Sequence, residues 1–232
     1  MWVGTGENNN QRSVAYGDGV YKSVDGGASW KNMGLKNSEH IGNIIVHPEN
    51  SDVVYVSAYG PLWSKGGDRG LYMTEDGGKT WNNILFVDEH TGFNEIHMDP
   101  RDPDVLYAAS HQRRRHVYTY VGGGPGSGLH KSTDGGKTWK EINKGLPGVE
   151  IGRIGMDISD ANPEIIYAIV EAAERKGGFY KSTNRGETWV KQSRKVTSGN
   201  YYQEIFADPV DEDVVYICLL YTSDAADERS SV

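Results

Sequence analysis

An eight-residue phrase that ends in tryptophan occurs four times in this chain and constrains its fold more than any other feature. Its clearest copy, Ser132–Trp139, reads Ser-Thr-Asp-Gly-Gly-Lys-Thr-Trp. The four copies end at Trp30, Trp81, Trp139 and Trp189, which are 51, 58 and 50 residues apart. A structural unit of roughly fifty residues is therefore repeated, and a period in that range is typical of propeller blades or solenoid arrays.

Each phrase has the chemistry of a tight hairpin turn. Aspartate followed by glycine between two strand-like runs, such as Val20–Lys22 in the first copy, is typical of such turns. The short carboxylate accepts bonds from backbone amides, and glycine takes positive φ without steric cost. The tryptophan then buries its ring against the adjoining sheet. The residues expected to have this structural role are Asp25, Trp30, Asp76, Trp81, Asp134, Trp139, Asn184 and Trp189.

The phrases resemble Asp-boxes, also called bacterial neuraminidase repeats. These repeats occur in sialidases, sortilin-type domains, xyloglucan-degrading hydrolases and a photosystem assembly factor. The resemblance covers residues 2 to about 217 and implies a β-propeller. The fourth copy departs from the pattern because Asn184-Arg185 replaces Asp-Gly. Asparagine still accepts an amide bond, so we expect that turn to survive in weakened form. An aspartate held in a peripheral hairpin is expected to be structural and not catalytic.

A second recurring phrase, a proline-bearing turn before a β-branched run, places the strands within the unit. We predict strand A at Ile41–Val46, strand B at Val53–Ala58, strand C at Gly70–Thr74 and, after the box, strand D at Thr80–Leu85. Four-stranded antiparallel sheets repeated radially form a β-propeller. The predicted fold is therefore all-β, a partial propeller of about four to five blades.

The blade boundaries follow from the two phrases. We expect a partial blade with strands B to D at residues 1–35, three blades at 36–86, 87–143 and 144–193, and a half blade with strands A and B at 194–217. From Cys218 the repeat pattern stops. Residues 218–228 resemble a translated transposon-adapter read from sequencing-library preparation, so Cys218–Val232 is expected to be a non-native tail. A natural strand-and-loop ending is the alternative.

The composition limits the possible partners. The formal net charge is −8, and the tail contributes −2 of it, from three acids and one arginine, which leaves −6. An acidic chain disfavours nucleic acid as a partner. The only cysteine, Cys218, lies in the suspect tail, so the rest carries no disulfide framework and no thiolate metal site. No apolar run is long enough for membrane insertion, and no motif indicates a metal or a cofactor.

Long loops between strands B and C, together with the D-to-A connections, predict a functional face. Sugar hydrolysis usually requires two facing carboxylates, and five carboxylates lie near strand ends on this face. These weak catalytic candidates are Glu7, Glu39, Asp68, Glu171 and Glu204. They could instead be solvated, or pair with Arg12, Arg69 or Arg175.

The same face carries arginines and aromatic side chains that could bind a ligand. The candidates are Arg12, Trp63, Arg69, Arg113, Arg114, Arg115, His116, Tyr201 and Tyr202. Three consecutive arginines could hold an anionic group, whereas salt bridges between blades are the alternative interpretation. The glycine-rich stretch Gly122–Gly128 lacks the Lys-Ser/Thr of a phosphate loop and is interpreted as a flexible connection.

Two classes of function remain open. The resemblance implies part of a glycosyl-hydrolase-like or sortilin-like protein, with further blades in the full chain and export from the cytoplasm. Sortilin-type relatives bind peptides in the propeller channel without catalysis, whereas the xyloglucan hydrolases use two aspartates in a cleft. The catalytic phrase of those hydrolases, similar to Thr-Asp-Val-Gly-Gly, is not found here. We favour a ligand-binding or scaffold propeller for carbohydrate or peptide, with glycoside hydrolysis as the alternative. An assembly-factor role is a third option.

Overall fold

The computed structural model describes residues 1–197, 201 and 203–217, in which the regular structure is almost entirely strand. The first sheet contains β1 (Trp2–Gly4), β2 (Val20–Lys22) and β3 (Lys31–Asn32). The second contains β4 (Ile41–Val46), β5 (Val54–Ala58), β6 (Gly70–Thr74) and β7 (Asn82–Leu85). The third begins with β8 (Thr91–Asp99) and β9 (Asp102–Gln112), followed by an inserted hairpin of β10 (Arg114–Arg115) and β11 (Tyr120–Val121).

The remaining strands complete the third sheet and form two more. The third sheet continues with β12 (Gly128–Ser132) and β13 (Lys140–Glu141). The fourth sheet contains β14 (Ile151–Ile158), β15 (Ile166–Ala172), β16 (Gly178–Ser182) and β17 (Val190–Ser193). A two-stranded sheet of β18 (Ile205–Ala207) and β19 (Val215–Ile217) follows. A 3₁₀ turn at Ala173–Arg175 links β15 to β16.

Within each sheet, strands that follow one another in the chain pair antiparallel, and in the third sheet β9 pairs with β12 across the inserted hairpin. In the second sheet, for example, Val56 of β5 pairs with Ile44 of β4 and with Tyr72 of β6. The predicted all-β propeller built of four-stranded antiparallel sheets is confirmed. Strand B begins one residue later than predicted, because the Val53 N–H closes a turn onto Asn50.

The box turns have the predicted hydrogen-bond chemistry. In the third box, the Asp134 carboxylate accepts bonds from the backbone N–H of Thr138 at 2.9 Å and from its hydroxyl at 2.6 Å. The Ser132 hydroxyl accepts the Gly136 N–H at 2.9 Å. The bonds from Thr138, its hydroxyl first, and from the Ser132 hydroxyl lower the pKa of Asp134 to about 2. The carboxylate is thus committed to its own turn.

Two of the four box tryptophans, Trp81 and Trp189, form hydrogen bonds to the neighbouring blade. The Trp81 indole N–H donates to the carbonyl of Met33 in the preceding blade at 2.8 Å. Trp189, only 3% exposed, donates in the same way to Ile142 at 2.7 Å. The expectation that every box tryptophan is buried is wrong for Trp30, which is 40% exposed. Its indole N–H donates to the Gly27 carbonyl of its own turn at 3.1 Å, as the Trp139 indole N–H does to the Gly136 carbonyl at 3.0 Å.

The innermost strands are tied to one another by asparagine side chains. Asn43 of β4 donates to the Ile96 carbonyl of β8 at 3.1 Å, and Asn94 of β8 donates to the Ile154 carbonyl of β14 at 2.7 Å. Each bond links one blade to the next near the propeller axis. The blades are therefore held together by polar contacts at the centre and by apolar packing of tryptophan further out.

Two further observations concern the predicted partners and the predicted tail. In the part of the chain that the structure describes, no helix has the length and apolarity needed to cross a membrane. The predicted adapter-derived tail, Cys218–Val232, lies outside the described residues, as does Tyr202.

Candidate functional site

The loop between β1 and β2 reaches across the centre of the loop-rich face and is held there by arginines from other blades. The Arg113 guanidinium donates to the Asn9 carbonyl at 3.0 Å and to the Asn10 side-chain oxygen at 2.6 Å. Arg115 donates to the Asn10 carbonyl at 2.8 Å. Arg153 of β14 donates to the Asn8 carbonyl at 2.7 Å. The first loop is therefore part of a central polar network.

Tyr59 and His111 form the buried floor of this network. The Tyr59 hydroxyl is hydrogen-bonded to Nδ1 of His111, and the Arg113 guanidinium lies 3.3 Å from the centre of the Tyr59 ring. Burial, with the positive charges of Arg113 and Arg153, lowers the pKa of His111 to about 3. The imidazole is therefore neutral near pH 7, and the positive charge of the network belongs to its arginines.

Two members of the predicted ligand-binding set are occupied with holding loops. Arg69 is 1% exposed and donates to the carbonyls of Tyr59 at 3.0 Å, Ser64 at 2.8 Å and Gly66 at 2.9 Å. Arg113 has no exposed surface. Within the described residues, the hydrogen bonds of these two guanidinium groups go to carbonyl and amide oxygens and not to the carboxylates of the alternative interpretation. Neither group is accessible to a ligand from solvent in this arrangement.

A cleft of about 470 Å³ opens beside this network, between the inserted hairpin and the fourth blade. We call it the loop-face cleft. It is lined by Tyr120, Val121, Gly122, Gly123, Glu150, Gly152, Glu171, Ala172 and Ala173. Its size is within the range of small-molecule sites. Among the predicted carboxylates, Glu171 is the one that lines this cleft.

The glycines allow two backbone segments to meet at the base of the loop-face cleft. A Cβ on Gly152 would lie 2.6 Å from the Gly122 carbonyl oxygen and 2.7 Å from Oε2 of Glu171. A Cβ on Gly123 would lie 2.7 Å from the Ile151 carbonyl oxygen. Since no side chain fits at these positions, the base is formed by backbone and by the Glu171 carboxyl.

The two glutamates of the loop-face cleft have different surroundings. Burial raises the pKa of the Glu171 carboxyl, although the N–H and the charge of Arg153 oppose this shift. Glu150 precedes β14 and is exposed at the rim. Tyr120 lines the same cleft, and the Arg115 guanidinium stacks 4.3 Å from the centre of its ring. The Tyr120 hydroxyl oxygen is buried and has no hydrogen-bond partner among the described residues.

Glu204 lies in a different cavity, which we call the axial cleft. This cleft has a volume of about 280 Å³ and is lined mainly by the inner strands β4, β8, β14 and β18. Glu95, His97 and Asp157 share it with Glu204. Burial, followed by the charge of Glu95, raises the pKa of the Glu204 carboxyl. The structure thus separates the two predicted glutamates Glu171 and Glu204.

The other three predicted carboxylates line neither cleft. Glu7 accepts the Ala15 N–H at 2.5 Å within the first loop. Asp68 accepts the Asn37 N–H at 2.9 Å and joins two loops of neighbouring blades. Glu39 lies 4.0 Å from the buried His40 ring. No ion pair with Arg12, Arg69 or Arg175 is found for any of the five carboxylates within the described ranges.

The remaining predicted ligand-binding residues are distributed over the face. Arg12 is exposed on the first loop, and Trp63 and Arg114 are half-buried. The His116 ring stacks on Tyr118 with 5.6 Å between ring centres. Tyr201 is 42% exposed, and its carbonyl accepts a bond from Arg153 at 2.9 Å. Ligand binding by these residues stays a prediction.

Sequence reasoning missed Tyr120, Glu150 and the acidic partners of Glu204. Tyr120 lies next to the glycine-rich stretch, and the short run Tyr120-Val121 was a signal for a strand that could have revealed the hairpin. Glu150 directly precedes the Ile-Gly-Arg-Ile run of β14, the position that His40, the neighbour of Glu39, has before the Ile-Gly-Asn-Ile run of β4. Glu95, His97 and Asp157 lie within strands, whereas the sequence prediction considered only residues in loops and near strand ends.

Comparison with known proteins places the chain among propellers that carry these repeats. The family model described as "Sortilin, neurotensin receptor 3" (Sortilin-Vps10) matches residues 18–178. A xyloglucanase of Hypocrea jecorina (strain QM6a) is 28% identical over 197 residues, which are 80% of this chain and 21% of that protein. A xyloglucanase of a Paenibacillus species is 26% identical over 198 residues, which are 79% of this chain and 17% of that protein.

A solved structure supports the fold independently. The GH74 enzyme of Niastella koreensis superposes with a TM-score of 0.66 at 18% identity, over 93% of this chain and 33% of the enzyme. The chain spans about a fifth of the length of the curated relatives it matches. The predicted resemblance to Asp-box propellers of the sortilin and glycosyl-hydrolase type is confirmed. Because the family model matches more than half of its residues, this chain belongs to the Sortilin-Vps10 family.

Proposed function

We propose that this propeller segment binds a carbohydrate chain in the loop-face cleft, as part of a larger glycosyl-hydrolase-like protein. One observation carries the proposal: a tyrosine and two glutamates surround a cavity of about 470 Å³ whose base is backbone. The similarity to two proteins named xyloglucanase supports carbohydrate as the ligand.

The groups in this cleft match the chemistry of a sugar. Sugar rings offer hydroxyl groups that donate and accept hydrogen bonds, and apolar C–H faces that pack on aromatic rings. The Glu171 carboxyl provides hydrogen bonds, the half-buried Tyr120 provides an aromatic wall, and the exposed Glu150 adds an acceptor at the rim. The glycine base brings the backbone close to a ligand, as glycine does where a backbone must be approached closely.

The charge of the cleft argues against an anionic ligand. Among the described residues that line it, none is a lysine or an arginine, whereas two are glutamates. An anionic ligand would face like charge, which disfavours binding. A neutral polyhydroxyl ligand avoids this cost.

The binding test uses isothermal titration calorimetry with xyloglucan-derived oligosaccharides. Tyr120→Ala and Glu171→Gln should each weaken binding at least tenfold, because the first removes the aromatic wall and the second removes the carboxyl from the cleft. Tyr118→Ala is the matched control, since Tyr118 belongs to the same inserted loop and is 85% exposed. Wild-type affinity in both cleft variants would exclude the loop-face cleft as the site. Absence of binding to every glycan tested would exclude carbohydrate as the ligand.

Glycoside hydrolysis is the second candidate, and the contrast between the two glutamates favours it. An acid catalyst requires a carboxyl that stays protonated, and burial gives Glu171 a raised pKa, whereas Glu150 is exposed. The test is the release of reducing sugar from xyloglucan by the full-length protein. Glu171→Gln should lower kcat at least a hundredfold while oligosaccharide binding remains measurable. Unchanged kcat would eliminate this role. Export of the protein stays a prediction.

A further inference from the structure

The axial cleft is distinct from the loop-face cleft and has a different chemistry. Its polar lining consists of Asn8, Asn43, Glu95, His97, Asp157 and Glu204, contributed by the first loop and by the inner strands of successive blades. Met156, Ile205 and Phe206 add apolar walls. The cavity of about 280 Å³ has room for one extended side chain but not for an oligosaccharide.

A histidine lies between two of the three carboxylates. Nε2 of His97 lies 3.2 Å from Glu95, and Nδ1 lies 3.6 Å from Asp157. Burial alone would lower the pKa of His97, but the hydrogen bond and charge of Glu95 outweigh it, and the pKa is raised. Even with this imidazole charged, three carboxylates face one cation. The lining therefore carries excess negative charge.

Arg153 does not form an ion pair with Glu204, although its positive charge opposes the rise in the Glu204 pKa. Arg153 is fully buried and directs Nη1 to the carbonyls of Asn8 and Tyr201, at 2.7 and 2.9 Å. It forms no ion pair or hydrogen bond with Glu204, whose carboxylate receives no hydrogen bond from the part of the chain that the structure describes. The Glu204 carboxylate in the cleft can therefore accept hydrogen bonds from a ligand.

A second free acceptor faces the same space. The Asn8 side chain donates through Nδ2 to the Gly42 carbonyl, while its Oδ1 is buried and has no donor among the described residues. A buried acceptor without a donor is costly, and a ligand that supplies the donor removes that cost. In contrast to Asn8 and Glu204, Asp157 already accepts the N–H groups of Ala207 and Ile158 at 2.8 and 2.9 Å.

We propose that the axial cleft binds an arginine side chain of a peptide ligand, with the guanidinium between Glu204, Glu95 and Asn8 Oδ1. A guanidinium presents five N–H donors in a plane, which suits several acceptors spread around one cavity. The Phe206 ring is 52% exposed at the cleft wall and provides a surface for stacking, which arginine uses more often than lysine. This inference does not depend on the carbohydrate proposal.

The test compares a positively charged probe with a neutral probe of similar shape. Nα-acetyl-arginine amide and Nα-acetyl-citrulline amide have nearly the same shape, but the urea of citrulline is neutral. In calorimetric titrations of the folded chain, the arginine probe should bind at least tenfold more tightly than the citrulline probe. Equal affinity for the two probes would overturn the proposal. Binding of calcium chloride in the cleft without binding of the arginine probe would overturn it as well.

Substitutions in the axial cleft test whether the arginine probe binds there. Glu204→Gln should weaken the arginine probe at least tenfold, and Phe206→Ala should weaken it severalfold through the exposed ring. Glu49→Gln is the control, since Glu49 is exposed on a distant turn between β4 and β5. Circular dichroism verifies that each variant is folded. Because Phe206 is exposed, Phe206→Ala should have little effect on the core. Wild-type affinity in both Glu204→Gln and Phe206→Ala would exclude the axial cleft.

Discussion

Asn184 holds Thr188 in the fourth box with two hydrogen bonds, accepting its backbone N–H at 3.0 Å and donating to its hydroxyl at 2.8 Å. In the third box Asp134 contacts Thr138 at the same two atoms, but there the threonine hydroxyl is the donor. Because the Asn184 amide donates to the threonine hydroxyl, the fourth turn keeps both hydrogen bonds without a negative charge. Sequence reasoning expected one retained bond, and the structure has both.

The first prediction follows from this pair. Asn184→Ala removes both bonds to Thr188 and the bond from the Ser182 hydroxyl, so the free energy of unfolding should fall by about 1–2 kcal/mol. Asn184→Asp restores the arrangement of the other boxes and should remain close to wild type. Urea unfolding followed by tryptophan fluorescence measures both variants. Equal losses in the two would contradict this account of the turn.

The second prediction concerns the unequal burial of the box tryptophans. Trp189→Ala removes a side chain that is 3% exposed, and should cost about 3–5 kcal/mol through lost packing and a cavity between blades. Trp30→Ala removes a ring that is 40% exposed and should cost about 1 kcal/mol. Thermal unfolding of the two variants gives the comparison. A larger loss for Trp30→Ala would show that the outer indole stabilises more than its burial indicates.

The repeated phrases predicted the blades because their chemistry is local. The turn residues and the alternating runs lie within a few positions of each other, so strands β4 and β6 match their predicted bounds, Ile41–Val46 and Gly70–Thr74. The clefts could not be predicted in this way. Glu150 and Tyr120 line the same cleft because the propeller brings the third and fourth blades together. The distance across a blade interface depends on packing that no short stretch of sequence encodes.

The arginine run shows the same limit. Its three positive charges indicated an anion site, yet Arg113 is buried among carbonyl oxygens of the first two blades. The sequence contains these arginines and the Asn8–Asn10 run as separate features. The fold joins them across more than a hundred residues, since Arg113 and Asn10 are 103 positions apart. The structural role of the arginine run therefore follows from the propeller fold and could not be predicted from the sequence.

The third prediction tests that role. Arg113→Lys keeps the charge but loses the planar fork, whose Nη1 donates to Asn9 and Asn10 while Nη2 donates to the Gly60 carbonyl. Loss of these charge-assisted bonds should lower the free energy of unfolding by about 2 kcal/mol. Hydrogen exchange should speed up at the Gln11 amide, which bonds to the Asn9 side chain. Arg114→Lys, in the half-buried neighbour, is the control and should leave that exchange rate unchanged.

The fourth prediction is a loss of stability in mild acid. Burial and the charge of Arg113 lower the pKa values of His40 and His111 from 6.5 to about 3. As the pH falls from 6.5 toward 3, the unfolded chain takes up protons that the folded chain does not. The free energy of unfolding therefore decreases as the pH falls through this window, and it has its full value only above the window. Urea unfolding at pH 7 and pH 5 measures the loss.

Variants of His40 isolate its share of this pH dependence. His40→Gln removes one titrating group, so the stability difference between pH 7 and pH 5 should be smaller than in wild type. Ser38→Ala is the control because Ser38 is also buried and close in sequence but does not titrate. The same pH difference in His40→Gln and wild type would refute the assignment.

The fifth prediction uses two glycines near the loop-face cleft. A Cβ on Gly152 would come within 2.6 Å of the Gly122 carbonyl oxygen and within 2.7 Å of the Glu171 carboxyl, so Gly152→Ala forces backbone apart. Overpacking of this kind should cost about 1–3 kcal/mol, and it should weaken oligosaccharide binding because Glu171 is displaced. Gly148→Ala, four residues earlier, meets nothing within 4 Å and should leave both stability and binding unchanged. If Gly152→Ala bound oligosaccharide as tightly as Gly148→Ala, the glycine base of the cleft would have no part in recognition.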